Sequence, residues 1–130
     1  MAQSLQKMLQ SDMKCEGLLE CFHGLTELDR AVFETLVTSE EPMTVDEVAE
    51  QVDRERSTAY RAVKRLEEAG FLEREQRTYE GGGYYHVFRP ADPDVVADEM
   101  QRMLNDWYAQ MGQLIGEFRE KYSERADVPT

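Results

Sequence analysis

Apolar residues recur every three or four positions through the first half of the chain. They then give way to aromatic and β-branched clusters around three glycines, and return near the C-terminus as a regular 4-3 alternation. The first part of this pattern predicts helices. Residues 3–13 form a short one with Leu5, Met8 and Leu9 on one side, and "CEGLLECFHG" continues with Leu18, Leu19 and Phe22 at helical spacing and Gly24 as the stop. "LTELDRAVFETLVTSEEP" is a helix capped by Thr26 with Asp29 three residues on, whose buried stripe is Leu28, Val32, Phe33 and Leu36. "TVDEVAEQV" starts on a Thr44/Glu47 capping box and turns Val45, Val48, Ala49 and Val52 inward. A short polar turn, "DRER", leads into a further helix from about Arg56 to Ala69, stopped by Gly70. "FLEREQRTYEGGGYYHVFRP" then has the composition of a β-hairpin with glycines supplying positive φ at its tip. Asp92 and Pro93 open a last helix running to about Tyr122, in which Met100, Leu104, Trp107, Met111, Leu114 and Phe118 form a heptad seam widened by Met103, Tyr108 and Ile115. Such a seam needs a cover, and a second copy of the chain is the simplest one.

Three helices followed by a hairpin is the order of a winged helix-turn-helix. The predicted fold is therefore mainly α with a small β-hairpin: an N-terminal helical extension (1–23), a winged helix-turn-helix (24–90) and a long dimerisation helix with a tail (91–130). The 130 residues suit one compact domain or a small domain with an appendage, and no apolar run is long enough to span a bilayer. With no signal peptide recognisable at the start, a cytoplasmic protein is expected.

Charge changes this picture in one place. The chain carries 27 Asp+Glu against 15 Lys+Arg, a net charge of −12 spread along its length, which is the composition of a halophile's protein. Yet residues 54–89 hold eight basic and six acidic residues, so the segment that spans the third helix and the hairpin is net positive. On that helix Ala59, Val63 and Leu66 share one face; Ser57, Thr58, Arg61, Lys64 and Arg65 share the other. Hydroxyls near a helix start suit phosphate oxygens, and arginines can make paired bonds to guanine. Tyr60 can contact a sugar or a thymine methyl, Arg54 and Arg56 can hold phosphates from the turn, and Arg74, Arg77 and Arg89 can reach DNA from the hairpin. An interleaved charged helix is more often a plain solvated face; the capped helices, short turn, basic helix, glycine stop and glycine-tipped hairpin together favour DNA.

The segments "LTELDRAVFETLV" and "TVDEVAEQVDRERSTAYRAVKRLEEAGFLERE", with the hairpin after them, resemble the DNA-binding domain of the TrmB family of archaeal transcriptional regulators. "RSTAYRAVKRLEEAGFL" is the most specific part, and the likeness covers roughly residues 24–90, extending more loosely to winged-helix regulators of the MarR and ArsR type. The resemblance implies sequence-specific promoter binding as a homodimer, with Arg56–Arg65 as the recognition helix. Longer TrmB-type proteins carry a C-terminal sugar-binding domain; here one helix follows the wing, so sugar sensing is not carried over.

Other chemistry is sparse. Cys15, Cys21 and His23 are open to three readings: small buried apolar groups, redox thiols able to pair across a dimer, or metal ligands, although no C-x-x-C pair is present. Gly81–Gly83 lacks the Lys-Ser/Thr of a phosphate loop, and His86 belongs to the wing. No catalytic constellation stands out, so no enzyme, cofactor or metal site is expected. The expected partners are double-stranded DNA and a second copy of the chain. The alternative is a winged-helix module that docks on another protein.

Overall fold

The computed structural model describes residues 4–11, 13–15 and 17–126, with side chains to 123. Residues 3 and 12 of the expected first helix and the tail 127–130 lie outside the described residues. The chain divides into two compact units, one ending at Pro93 and one beginning at Asp94.

The first unit opens with α1 (Leu5–Gln10), capped by the Ser4 hydroxyl, and α2 (Gly17–His23). The three helices that build its core are α3 (Glu27–Thr38), α4 (Val45–Val52) and α5 (Arg56–Glu68). Both expected capping boxes are formed. The Thr26 N–H donates to Asp29 Oδ2 at 3.0 Å while the Asp29 N–H donates to Thr26 Oγ1 at 3.2 Å, and Thr44 and Glu47 repeat the exchange.

The turn between α4 and α5 is set at Asp53, which adopts φ 56° in the left-handed region that Asp tolerates better than most residues. Its N–H donates to the Glu50 carbonyl and the Arg54 N–H to the Ala49 carbonyl, so two carbonyls at the end of α4 are satisfied while the chain reverses into α5. The same device ends α5. Gly70 at φ 87° lets its own N–H reach the Glu67 carbonyl and that of Phe71 reach Leu66. Leu66 and Phe71 are both buried beside that turn.

The hairpin follows as β1 (Leu72–Thr78) and β2 (Tyr84–Pro90), antiparallel, with Thr78 opposite Tyr84 and Leu72 opposite Pro90. Gly82 and Gly83 both have positive φ at its tip. Met43 and Phe88 exchange backbone hydrogen bonds of 3.0 and 2.8 Å, tying the base of the wing to the strand-like segment before α4.

The core holds Val32, Leu36, Val45, Val48, Ala49, Ala59, Ala62, Val63, Leu66, Phe71, Leu72, Val87 and Phe88. The expected stripe of α3 is corrected in one respect. Val32 and Leu36 are fully inside, but Leu28 and Phe33 are half-buried, and the third fully buried position of the helix is a carboxylate, Asp29. Phe33 still packs its ring edge-on against Phe71 at 5.5 Å, and His23 does the same at 5.1 Å, which seats the end of α2 on the core.

The second unit is the body of α6 (Pro93–Ala126), 34 residues long and four residues longer than the periodicity predicts. Leu104, Trp107, Leu114 and Phe118 along its expected seam are 44% to 65% exposed. No helix among the described residues is long and apolar enough to cross a membrane.

Candidate nucleic-acid interface

The helix α5 is divided lengthwise. Ala59, Ala62, Val63 and Leu66 are buried; Ser57, Tyr60, Arg61 and Lys64 face solvent and Thr58 is half-buried. This matches the sequence pattern and adds Ala62 to the packed side. The start of α5 differs from its neighbours. Its N-cap residue Glu55 makes no side-chain bond to the helix, and the first turn contains no acid. The first-turn amides of α5 therefore point out uncapped beside the Ser57 and Thr58 hydroxyls, an arrangement suited to an anion.

The predicted basic residues do not form one uniform surface. Among the described residues Arg54 and Arg61 have no carboxylate partner, Arg61 reaching only the Thr58 hydroxyl at 3.5 Å. Lys64 lies 3.8 Å from Glu68, one helical turn on, with both side chains well exposed. Arg56 meets Asp46 at the start of α4 at 2.9 Å, again in the open. Such pairs are worth little in water and can exchange a carboxylate for a phosphate at small cost.

Arg65 differs in kind. Its Nε donates to both oxygens of Asp29 at 3.1 and 3.0 Å, and its Nη2 to Oδ1 at 2.7 Å. The Asp29 side chain is 0% exposed against 44% for Arg65. Burial alone would raise the Asp29 carboxyl. The Arg65 hydrogen bonds, the Thr26 N–H and the guanidinium charge outweigh it and hold the carboxyl below the usual range. The Asp29 hydrogen bonds raise Arg65 in turn. The sequence places Arg65 on the DNA-facing side of α5; the structure commits its guanidinium to fixing α5 against the first turn of α3.

The wing also differs from its sequence-based picture. Paired residues across the hairpin share a face and faces alternate along each strand. Glu73, Glu75, Arg77 and Arg89 therefore stand together, and they form a ladder: Arg89 to Glu73 at 3.2 Å, Arg89 to Glu75 at 2.6 Å, and Arg77 to Glu75 at 2.7 Å. The Arg77 and Arg89 hydrogen bonds hold the Glu75 carboxyl low. The opposite face carries Arg74, Phe88, His86 and Tyr84. Arg74 grips Glu67 of α5 through two bonds of 3.0 and 2.9 Å and lies over the Phe88 ring. Each wing arginine thus has an internal carboxylate partner.

What the wing exposes is aromatic. Tyr79 is 57% and Tyr84 63% exposed, and a cleft of about 290 Å³ between the wing and the starts of α4 and α5 is lined by Tyr60, Tyr79, Tyr84, His86, Arg56 and Arg74 among others. The sequence pattern treated Tyr79 and Tyr84 only as strand formers. The signal that could have singled them out is their position beside the glycine tip, where a hairpin has no core to face.

Cys15 and Cys21 are both exposed and free, which sets aside the reading of them as small buried groups. Among the described residues no three His, Cys, Asp or Glu side chains are placed to hold a metal ion.

Residues 19–94 match the family model for the sugar-specific transcriptional regulator TrmB. An uncharacterized protein of Methanocaldococcus jannaschii, MJ1082, is 34% identical over 105 residues, covering 81% of this chain and 86% of its own length. Among solved structures, a possible transcriptional regulator from Methanosarcina mazei is similar, with 25% identity and a TM-score of 0.71 over 81% of this chain and 88% of that one. The ST1889 protein of Sulfolobus tokodaii shares the fold, at 18% identity and a TM-score of 0.56 over 87% and 99% of the two chains. With a capped three-helix core, a helix-turn-helix and a hairpin wing inside the matched residues, the chain belongs to the TrmB family of transcriptional regulators and is a DNA-binding winged-helix protein, not an enzyme.

Proposed function

We propose that this protein is a sequence-specific transcriptional regulator that binds duplex DNA as a homodimer. The helix α5 enters the major groove, where Arg61 and Lys64 face the bases, with Ser57, Thr58 and the uncapped helix start against phosphate and Arg54 and Arg56 on the flanking backbone. The observation that carries this reading is the division of α5: an apolar side locked into the core, and a solvent side with cations and no helix cap, in a chain that is otherwise strongly acidic. The long apolar face of α6 supports pairing of two copies, and the acidity supports a halophilic host, where molar salt screens self-repulsion.

The test uses duplexes selected from a random pool. Arg61→Ala with Lys64→Ala should abolish selective retention while melting and oligomeric state stay as in the unchanged protein. Arg65 must be left in place, because its loss would disturb folding and DNA binding together. A regulator of this kind protects two related half-sites whose centres lie about 10 bp or a multiple apart; protection of one unrepeated half-site counts against the dimer. If the double variant leaves selective binding intact, the alternative of a module that docks on another protein gains ground.

Exposure of both cysteines supports a finer role in which oxidation joins thiols of two copies, each thiol giving up its proton and one electron to an oxidant such as a peroxide. Genome-wide occupancy compared with and without peroxide, in the unchanged protein and in Cys15→Ser and Cys21→Ser variants, tests it. Equal occupancy throughout would remove the redox role.

A further inference from the structure

We propose that the wing holds duplex DNA through an uncharged aromatic edge, Tyr79 and Tyr84 continued on α5 by Tyr60, and that this contact persists at salt concentrations that strip away phosphate contacts. The inference rests on the DNA-binding reading above and concerns how the wing takes part in it.

Two observations converge. First, the wing's cations are occupied. Arg77 and Arg89 lie in a ladder with Glu73 and Glu75, on the face that Tyr85 shares and opposite Tyr84 and His86, while Arg74 is held by Glu67. From Thr78 to His86 the hairpin carries no Lys or Arg and one acid, Glu80, so its tip offers phosphates no lysine or arginine charge. Second, the same tip exposes large rings that nothing within the first unit covers. They are organised rather than loose: Tyr79 and Tyr85 have ring centroids 4.6 Å apart, and Tyr84 and His86 meet edge-on at 5.7 Å. Their anchoring residues stand on a two-stranded ladder whose base is tied to Met43, which limits their freedom.

The occupant follows from continuity. The cleft below these rings is walled on its other side by Tyr60, which projects from the solvent face of α5 beside Arg61, and by Arg56 at the helix start. A duplex seated on α5 would bring its flanking sugar-phosphate strand along this edge. A tyrosine suits that strand: the ring packs on deoxyribose or an exposed base edge, and the phenol donates a hydrogen bond to a phosphate oxygen while bringing no charge. The thermodynamic consequence is distinctive. Cationic contacts release counterions and weaken as salt rises, each steepening the plot of log affinity against log salt by about 0.9. A neutral ring releases none, so its contribution shifts that plot without tilting it. In a chain of net charge −12 such a contact would keep the wing engaged where ionic contacts fade.

The experiment titrates the full chain against a duplex obtained by selection from a random pool, at four or more KCl concentrations. Tyr79→Ala with Tyr84→Ala should lower affinity by about tenfold at every concentration, giving a line parallel to that of the unchanged protein. Tyr79→Phe with Tyr84→Phe should recover most of the loss. Arg54→Ala with Arg56→Ala, the pair placed on the flanking backbone, should instead flatten the line, by about 1.8 in slope for two lost phosphate contacts. Should the double alanine variant melt early, Tyr84→Ala alone, in an exposed position, gives the same comparison. Unchanged affinity in the tyrosine variants, or a loss that flattens the slope, would overturn the proposal while leaving α5 as the DNA-reading helix. Failure of the unchanged protein to select any duplex would instead remove the DNA-binding reading itself.

Discussion

Asp29 is the residue on which the placement of α5 turns. It accepts four hydrogen bonds, from the Thr26 N–H, from Arg65 Nε to each oxygen, and from Arg65 Nη2, and it has no contact with solvent. Removing either partner breaks the pair, but not symmetrically. In Arg65→Ala a buried carboxylate is left with one backbone donor, and the cost at neutral pH should be about 3–5 kcal/mol in urea unfolding. The pH dependence separates the variant from the unchanged protein. In the unchanged protein the folded carboxyl lies below its ordinary value of 3.8, so its stabilisation is present above that pH and is lost as pH falls through the lower folded value. In Arg65→Ala only the Thr26 hydrogen bonds still oppose burial, so the folded carboxyl should rise above its ordinary value and stability should decline as pH rises. The stability difference between the two proteins should shrink between pH 7 and pH 4.5. A difference that stays constant over that range would mean that the pair does not control α5.

At the scale of elements, the contrast among helix starts carries its own prediction. Both α3 and α4 have their first amides bonded by capping boxes; α5 has none. Glu55→Asp keeps the charge and supplies a side chain short enough to cap. It should stabilise the fold by about 1 kcal/mol, a rise in melting temperature of about 4–8 °C for a unit of this size. It should also weaken duplex binding several-fold, because the amides would no longer be open to phosphate. A more stable protein with unaltered affinity would place the phosphate elsewhere. This contrast also marks what the sequence could and could not reveal. The capping boxes at Thr26 and Thr44, the stop at Gly70 and the glycine tip of the hairpin are local patterns, and each was legible from residues three or four apart. The partners of Arg65 and Arg74 lie 36 and 7 residues away, across an element boundary, and no periodicity encodes them. For the same reason Asp29 was legible as a cap but not as a buried ion. The faces of the wing became separable only with the register that sets Thr78 opposite Tyr84, so the presence of three arginines along β1 and β2 said nothing about which side each occupies.

At the scale of the whole molecule two demands meet on α6. One recognition helix with a few cationic contacts binds DNA weakly, and an acidic chain weakens it further; a second copy turns the second half-site into an intramolecular event at high effective concentration. In the proposed homodimer the seam of α6 would supply the means. Leu104, Trp107, Leu114 and Phe118 recur at 3, 7 and 4 residues on one side of a 34-residue helix and remain largely open to solvent within their own unit. Pairing would also bring together two strongly acidic chains, whose repulsion falls as the screening length drops from about 10 Å at 0.1 M salt to about 3 Å at 1 M. Dimerisation should therefore tighten with KCl, opposite in sign to the salt dependence of the cationic DNA contacts. Leu104→Glu with Leu114→Glu places charges in the seam and should give a monomer by light scattering at any salt, with the first unit still folded by its far-ultraviolet signal and melting. Affinity for a two-half-site duplex should then drop by about 10²–10⁴-fold, while affinity for a single half-site stays as in the unchanged protein. A variant that remains dimeric, or a monomer that still binds two half-sites tightly, would show that α6 does not join the copies that bind DNA.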